Sequence, residues 1–240
     1  MSRFLKELPQ MPERRAALGR IAILAVLAGA AASLSRNAEA GAYEDFLAAL
    51  RRDDVLTLRR LQQRGFDLNT VDEGGQPPLL LALREDSLQA AAFLIQQRGF
   101  DLDLVNAKGE NALMLAALRG HVGLLRLMIR HGAEVNKPGW TPLHYAATHA
   151  DRVSTEMVEL LLEESAYIDA ESPNRTTPLM MAARYGHPDT VALLLQAGAD
   201  PGLRNEQGLT ALDFAWQAER KEAAALIQRA LRASSGPARW

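Results

Sequence analysis

The sequence predicts an all-α solenoid of five to six helix-turn-helix repeats stacked in a curved array, preceded by an N-terminal signal peptide. Three observations predict it. Five turns that close helical patterns, Gly65, Gly99, Gly132, Ser165 and Gly198, stand 34, 33, 33 and 33 residues apart. That step is too long for a helix or strand rhythm and fits a structural unit copied along the chain. Within each step a segment built on small residues, such as Ala146-Ala147, alternates with a bulkier one, such as Leu124-Leu125-Arg126-Leu127-Met128-Ile129. Finally, the first forty residues show none of this and have the layout of an export signal.

That signal comes first in chain order. Arg14, Arg15 and Arg20 precede an apolar run from Ile21, and a small, polar stretch ends in Ala38-Glu39-Ala40. Cleavage after Ala40 makes Gly41 the new terminus. The alternative is an uncleaved membrane anchor. The run from Ile21 to Leu34 is 14 residues, short of the about 20 that span a bilayer, so cleavage is the reading taken. Arg14-Arg15 also raises twin-arginine export. Ala17 stands where that signal favours an aromatic, which points to the general secretion route.

The bulk composition sets limits. The 240 residues carry a formal charge of −2, 48% apolar residues and no cysteine. The balance suits a folded chain, and the missing cysteines exclude disulfides, thiol catalysis and cysteine metal sites. Removing residues 1–40 takes away six of the 27 basic and three of the 29 acidic residues, leaving 21 and 26, a net of −5. That mildly acidic remainder argues against nucleic acid and against anionic membrane surfaces as partners.

Six units divide residues 41–232, at 42–71, 72–105, 106–136, 137–170, 171–204 and 205–232, with a loose tail at 233–240. The first opens at Tyr43-Glu44-Asp45-Phe46 and is dressed with charge, as a capping unit should be. The middle units open at Pro77-Pro78-Leu79-Leu80, Asn111-Ala112-Leu113-Met114, Thr141-Pro142-Leu143-His144 and Thr177-Pro178-Leu179-Met180; the sixth opens at Thr210-Ala211-Leu212-Asp213. Thr or Asn supplies a helix cap, and Pro is best tolerated at the first helical position. A Gly past the second helix can take the left-handed cap conformation. Asn with Gly, as in Asn205-Glu206-Gln207-Gly208, then turns the chain through a finger between units.

These openings, the Gly-His pairs Gly120-His121 and Gly186-His187, and the closing Gly132-Ala133-Glu134-Val135-Asn136 and Gly198-Ala199-Asp200 resemble the ankyrin repeat family. The resemblance covers nearly all of residues 42–232. It implies a non-enzymatic protein-binding module that uses a concave face made of finger tips and of the residues after each Ala-Ala pair. Carried over by position, the partner-binding residues are Arg84, Leu118, Arg119, His149, Arg184 and Tyr185 on the first helices, and Lys108, Glu110, Trp140 and Asn174 on the fingers. Trp140, Arg119, Arg184 and Tyr185 lead, because Trp, Tyr and Arg dominate binding energy at interfaces. Framework roles fall to Thr141, Pro142, Leu143, His144, Thr177, Pro178, Leu179, Gly132 and Gly198. The series Leu81, Leu115, Tyr145, Met181 and Phe214 reads as packing between first helices.

Unit four departs from the pattern. Leu113 to Leu143 spans 30 residues and Leu143 to Leu179 spans 36. Three residues are missing from the finger at 136–140 and three are added between the helices around Thr148 to Thr155. The stack should survive with a stunted finger and a raised turn at its middle.

No chemistry stands beside this. Of the five histidines, His144, His121, His187 and His131 have framework positions, while His149 lacks one; spaced along a solenoid they do not converge on a metal. No nucleophile motif appears, and Gly74-Gly75 lacks the continuation of a phosphate loop. Catalytic residues, cofactors and metals are therefore expected to be none. The partner is expected to be a protein, the chain a monomer, and its location periplasmic, with a secreted factor or an inner-membrane-anchored adaptor as alternatives. The family resemblance also admits a role in stress defence.

Overall fold

A computed structural model describes residues 39–234. The expected export signal up to residue 38 and the tail from 235 lie outside the described residues. The chain divides into two compact units, residues 1–46 and 47–240. In the first, residues 39–46 are helical, and Ala40 and Gly41 of the expected cleavage site are exposed there.

The second unit is a stack of six helix pairs, and no strand occurs among the described residues. The first helices are α1 (47–51), α3 (Pro78–Arg84), α5 (Ala112–Arg119), α7 (Pro142–Ala146), α9 (Pro178–Tyr185) and α11 (Ala211–Gln217). The second helices are α2 (Val55–Gln63), α4 (Leu88–Ile95), α6 (Val122–Arg130), α8 (Val153–Glu163), α10 (Pro188–Gln196) and α12 (Lys221–Ser234). Thus Ala233 and Ser234, assigned to the tail by the sequence, complete the last helix.

Each first helix from α3 onward packs on the next first helix, and each second helix from α2 onward on the next second helix. The core is accordingly a continuous slab: Leu83, Ala116, Ala117, Ala146, Ala147, Ala182, Ala183 and Ala215 are fully buried between first helices, and Leu94, Leu125, Met128, Leu161 and Leu194 between second helices. Alanine at all of these first-helix positions except Leu83 lets successive helix backbones approach closely.

Helix starts follow from local chemistry. The side-chain oxygen of Asn111 accepts from the Met114 amide at 3.0 Å, and that of Thr177 from the Met180 amide at 3.3 Å. At Thr210 the arrangement is reciprocal, with Asp213 accepting back from the Thr210 amide at 2.7 Å. Thr141 uses a variant in which its own amide donates to Nδ1 of His144 at 3.1 Å. With Nδ1 accepting, Nε2 carries the proton and donates to the Thr176 carbonyl at 2.9 Å. The buried ring thereby ties the fourth repeat to the next finger, and burial holds its pKa down to about 4.

The helix-ending turns have the geometry that their spacing predicts. Gly65, Gly99, Gly132, Ser165 and Gly198 have φ of 83°, 78°, 90°, 63° and 101°. The fingers at 72–76, 106–110, 172–176 and 205–209 are closed alike, the first residue's amide donating to the carbonyl four residues on at 3.0–3.1 Å.

Two edges of the stack are stitched from repeat to repeat. Along one, Asn69, Asp103, Asn136 and Asp169 accept from the amides of Asp101, Glu134, Tyr167 and Asp200 at 2.8, 2.9, 2.9 and 3.2 Å. Along the other, Asp53 accepts from the Ala90 amide at 2.6 Å, Arg119 donates to the Arg84 carbonyl at 3.0 Å, the His149 ring meets the Ala117 carbonyl at 3.0 Å, the His187 amide donates to the His149 carbonyl at 2.9 Å, and Arg220 donates to the Gly186 carbonyl. Every junction in the stack therefore has a tie at its inter-helix turns.

Candidate partner-binding face

The first helices end in side chains that the slab does not consume. Buried Ala pairs face the neighbouring helices, and the one or two residues after each pair emerge at the turn edge. Arg84 is exposed and meets Glu110 at 3.8 Å. Leu118 is 44% and Tyr185 46% exposed. Arg119 pairs with Asp86 at 3.1 Å as well as with the Arg84 carbonyl. Arg184 lies over two rings, 5.4 Å from the centroid of Tyr185 and 6.0 Å from that of Phe214.

The fingers supply the other side. Lys108 is exposed, and its amide donates to the Asn106 side chain at 2.9 Å. Glu110 is half-buried and accepts from the Asn106 amide group at 2.8 Å. Asn174 is exposed; its side chain accepts from the Ser172 hydroxyl at 2.6 Å and its carbonyl from the Glu206 amide at 3.1 Å. Trp140 is half-buried, edge-on to His144 at 5.2 Å and tilted against Tyr145 at 6.2 Å. In the shortened finger Lys137 reaches back to the Gly109 carbonyl, and Gly139 lies against the Pro173 ring. Trp140 thus covers the floor that three missing residues leave. Tyr145 beneath it has its hydroxyl pKa raised, first by burial and then by the charge of Glu110.

His149, for which the sequence shows no framework role, has one. The three extra residues of unit four bend the turn back over the third repeat, so the ring reaches the Ala117 carbonyl and packs beside Gly120. The same turn presses on the fifth repeat: a Cβ at Gly186 would sit 2.4 Å from the Ala147 carbonyl oxygen. Gly186 accordingly has φ −75° and ψ 173°, where Gly120 at the corresponding turn is left-handed at φ 74°. Of the apolar series between first helices, Leu81 and Phe214 are buried, and Leu115, Tyr145 and Met181 are half-buried.

Two features are absent from the reading of the sequence. Trp216 is 49% exposed and occupies, in the last repeat, the place where Ala117, Ala147 and Ala183 are fully buried. Aligning the Ala-Ala pairs residue by residue is the signal that would have found it. Separately, an open groove of about 650 Å³ lies between α2 and α4, lined by Arg59, Gln62, Gln89, Phe93, Gln96 and Gln97 among others. Among the described residues no group of three His, Asp or Glu is placed to hold a metal, and no helix is long and apolar enough to cross a membrane.

A family model described as "Ankyrin repeats (3 copies)" matches residues 93–172 and 150–231. Among curated proteins, the chain is 35% identical over 159 residues to the nuclear factor NF-kappa-B p105 subunit of Mus musculus, covering 64% of this chain and 16% of that protein. It is 35% identical over 176 residues to potassium channel AKT1 of Arabidopsis thaliana, covering 61% of this chain and 20% of the channel. The chain therefore spans a fifth or less of the length of these relatives. Among solved structures, an ankyrin repeat domain from Acinetobacter baumannii aligns with TM-score 0.66 and 27% identity over 77% of this chain and 96% of its own. A chain from the structure of the predatory endopeptidase Bd0816 of Bdellovibrio bacteriovorus in complex with immunity protein Bd3460 aligns with TM-score 0.64 and 29% identity, over 77% and 96%.

Proposed function

Because the chain belongs to the ankyrin repeat family, whose repeats bind protein partners, we propose that it is an exported, non-enzymatic protein-binding module acting in the periplasm. The observation that carries the binding part is the row of side chains at the ends of α3, α5 and α9, displayed by a stack that is hydrogen-bonded along both edges. A face held this way loses little conformational entropy on docking, so contacts there convert efficiently into affinity. Export rests on the arginines, apolar run and Ala-x-Ala ending of residues 1–40. A role in stress defence is one pathway in which such a module would serve. The similarity to a chain from an endopeptidase–immunity protein complex favours an enzyme as the bound protein.

The test is cross-linking in the native envelope with a photo-reactive residue at position 140 or 185, alongside fractionation and sequencing of the mature terminus. The expected outcome is one defined adduct from at least one position, periplasmic recovery, and Gly41 as first residue. No adduct from either position refutes the binding face. Recovery only in the medium refutes the periplasmic location, and an intact first forty residues in the membrane fraction replaces cleavage by anchoring.

A further inference from the structure

We propose that Arg184 is the docking point for a carboxylate of the partner, and that the segment this face receives is an acidic residue beside an apolar one. The inference rests on the protein-binding reading above and adds the chemistry of what is bound.

Arg84, Arg119 and Arg184 stand in the last two positions of α3, α5 and α9, and the first two are already paired. Arg84 meets Glu110 at 3.8 Å and Arg119 meets Asp86 at 3.1 Å. Arg184 has neither an ion pair nor a hydrogen bond from its guanidinium among the described residues. Asp213, the one acidic residue of the adjoining α11, is committed to the cap of its own helix, accepting from both the amide and the hydroxyl of Thr210 at 2.7 Å. The Arg184 guanidinium instead lies over the rings of Tyr185 and Phe214, at 5.4 and 6.0 Å from their centroids. Attraction to a ring face consumes none of a guanidinium's N–H donors, and those donors receive a carboxylate through two parallel hydrogen bonds.

The setting supports a built receptor. Phe214 is buried and cannot turn away. Tyr185, 46% exposed, offers an apolar surface next to the charge. The next two residues hold its backbone: Gly186 sits against the Ala147 carbonyl, and His187 donates to the carbonyl of His149 at 2.9 Å. The enlarged turn of unit four thus fixes the residue that orients Arg184. A partner carboxylate here gains a charge-assisted bond to a guanidinium already placed against two rings.

Random peptide phage display on the immobilised full chain tests this. The expected result is enrichment of peptides with Asp or Glu next to an aliphatic or aromatic residue. A synthetic representative should bind Arg184→Gln at least tenfold more weakly than the native chain and Arg130→Gln unchanged. Changing the acid of the peptide to its amide should cost a similar factor on the native chain and nothing further on Arg184→Gln. Arg184→Lys, charged but not planar, should recover only part of the affinity. Absence of any enriched sequence, enrichment without acids, or equal binding by Arg184→Gln overturns the proposal. If Arg184→Gln does not fold, the acid-to-amide change on the native chain decides alone, and no loss overturns it. An adduct at position 185 in the envelope together with acid-indifferent peptides would leave the protein-binding reading standing and remove this one.

Discussion

The ladder of Asn69, Asp103, Asn136 and Asp169 makes a quantitative prediction. The two asparagines each use both ends of the amide. Asn69 accepts from the Asp101 amide at 2.8 Å and donates to the Gly99 carbonyl at 3.2 Å, and Asn136 accepts from the Tyr167 amide and donates to the Ser165 carbonyl, both at 2.9 Å. Asp103 and Asp169 accept from the equivalent amides, but a carboxylate has no proton to give to the carbonyl two residues earlier. Their pKa values are raised, first by burial and then, among opposing hydrogen bonds from the amides they serve, by neighbouring carboxylates. Asp103→Asn and Asp169→Asn should therefore each add one hydrogen bond, a net gain of about 0.5–1.5 kcal/mol, with the low end expected because the side chains are only half-buried. The dependence on pH has a definite sign. A raised carboxyl pKa means that the folded state keeps its proton longer than the unfolded state, so the native chain loses stability as pH rises from the ordinary aspartate value of 3.8 through the raised one. Below that window a protonated Asp can donate as Asn does. The advantage of the Asn variants should be near zero at pH 3 and complete at pH 7. Urea unfolding of native and variant chains at both pH values, with shared slopes, measures it. No gain at pH 7, or an equal gain at pH 3, would refute the ladder as the source.

Other expectations bear on neighbouring parts of the stack. Gly186→Ala should cost about 3 kcal/mol or more, because its Cβ meets the Ala147 and Ala182 carbonyl oxygens at 2.4 and 2.9 Å; a thermal shift of zero would show that the turn yields. His144 is neutral when buried, its pKa lowered from 6.5 to about 4. It contributes stability fully above pH 6.5 and loses it as pH falls toward 4, so His144→Gln should be less stable at pH 7 yet show a flatter acid limb between pH 6.5 and 4.5 in urea titrations. Ser165→Gly should stabilise by about 0.5–1 kcal/mol, since a left-handed residue with a side chain costs about 1–2 kcal/mol and glycine returns part of that as entropy; an unchanged urea midpoint would count against strain at that turn.

How far the sequence reached depended on the range of the interaction. It determined what short-range chemistry dictates: the period, the caps at Asn111, Thr177 and Thr210, the left-handed turns that end second helices, and the small-residue positions that first helices must keep. Each is settled within a few residues, by a backbone angle or a side chain bonding its own first turn. The ankyrin family emerged from those local signals repeated in phase. Tertiary structure alone decided which face residues are spoken for. Arg119 and His149, which correspond by position in the repeat to Tyr185 and not to Arg184 before it, reach groups 33 to 35 and 32 residues away, whereas Arg184 finds rings but no carboxylate. No local pattern predicts that outcome. It depends on where neighbouring backbones pass, and in the middle of this stack three residues moved from a finger to a turn shift that path by enough to recruit His149 and to leave no room for a side chain at Gly186.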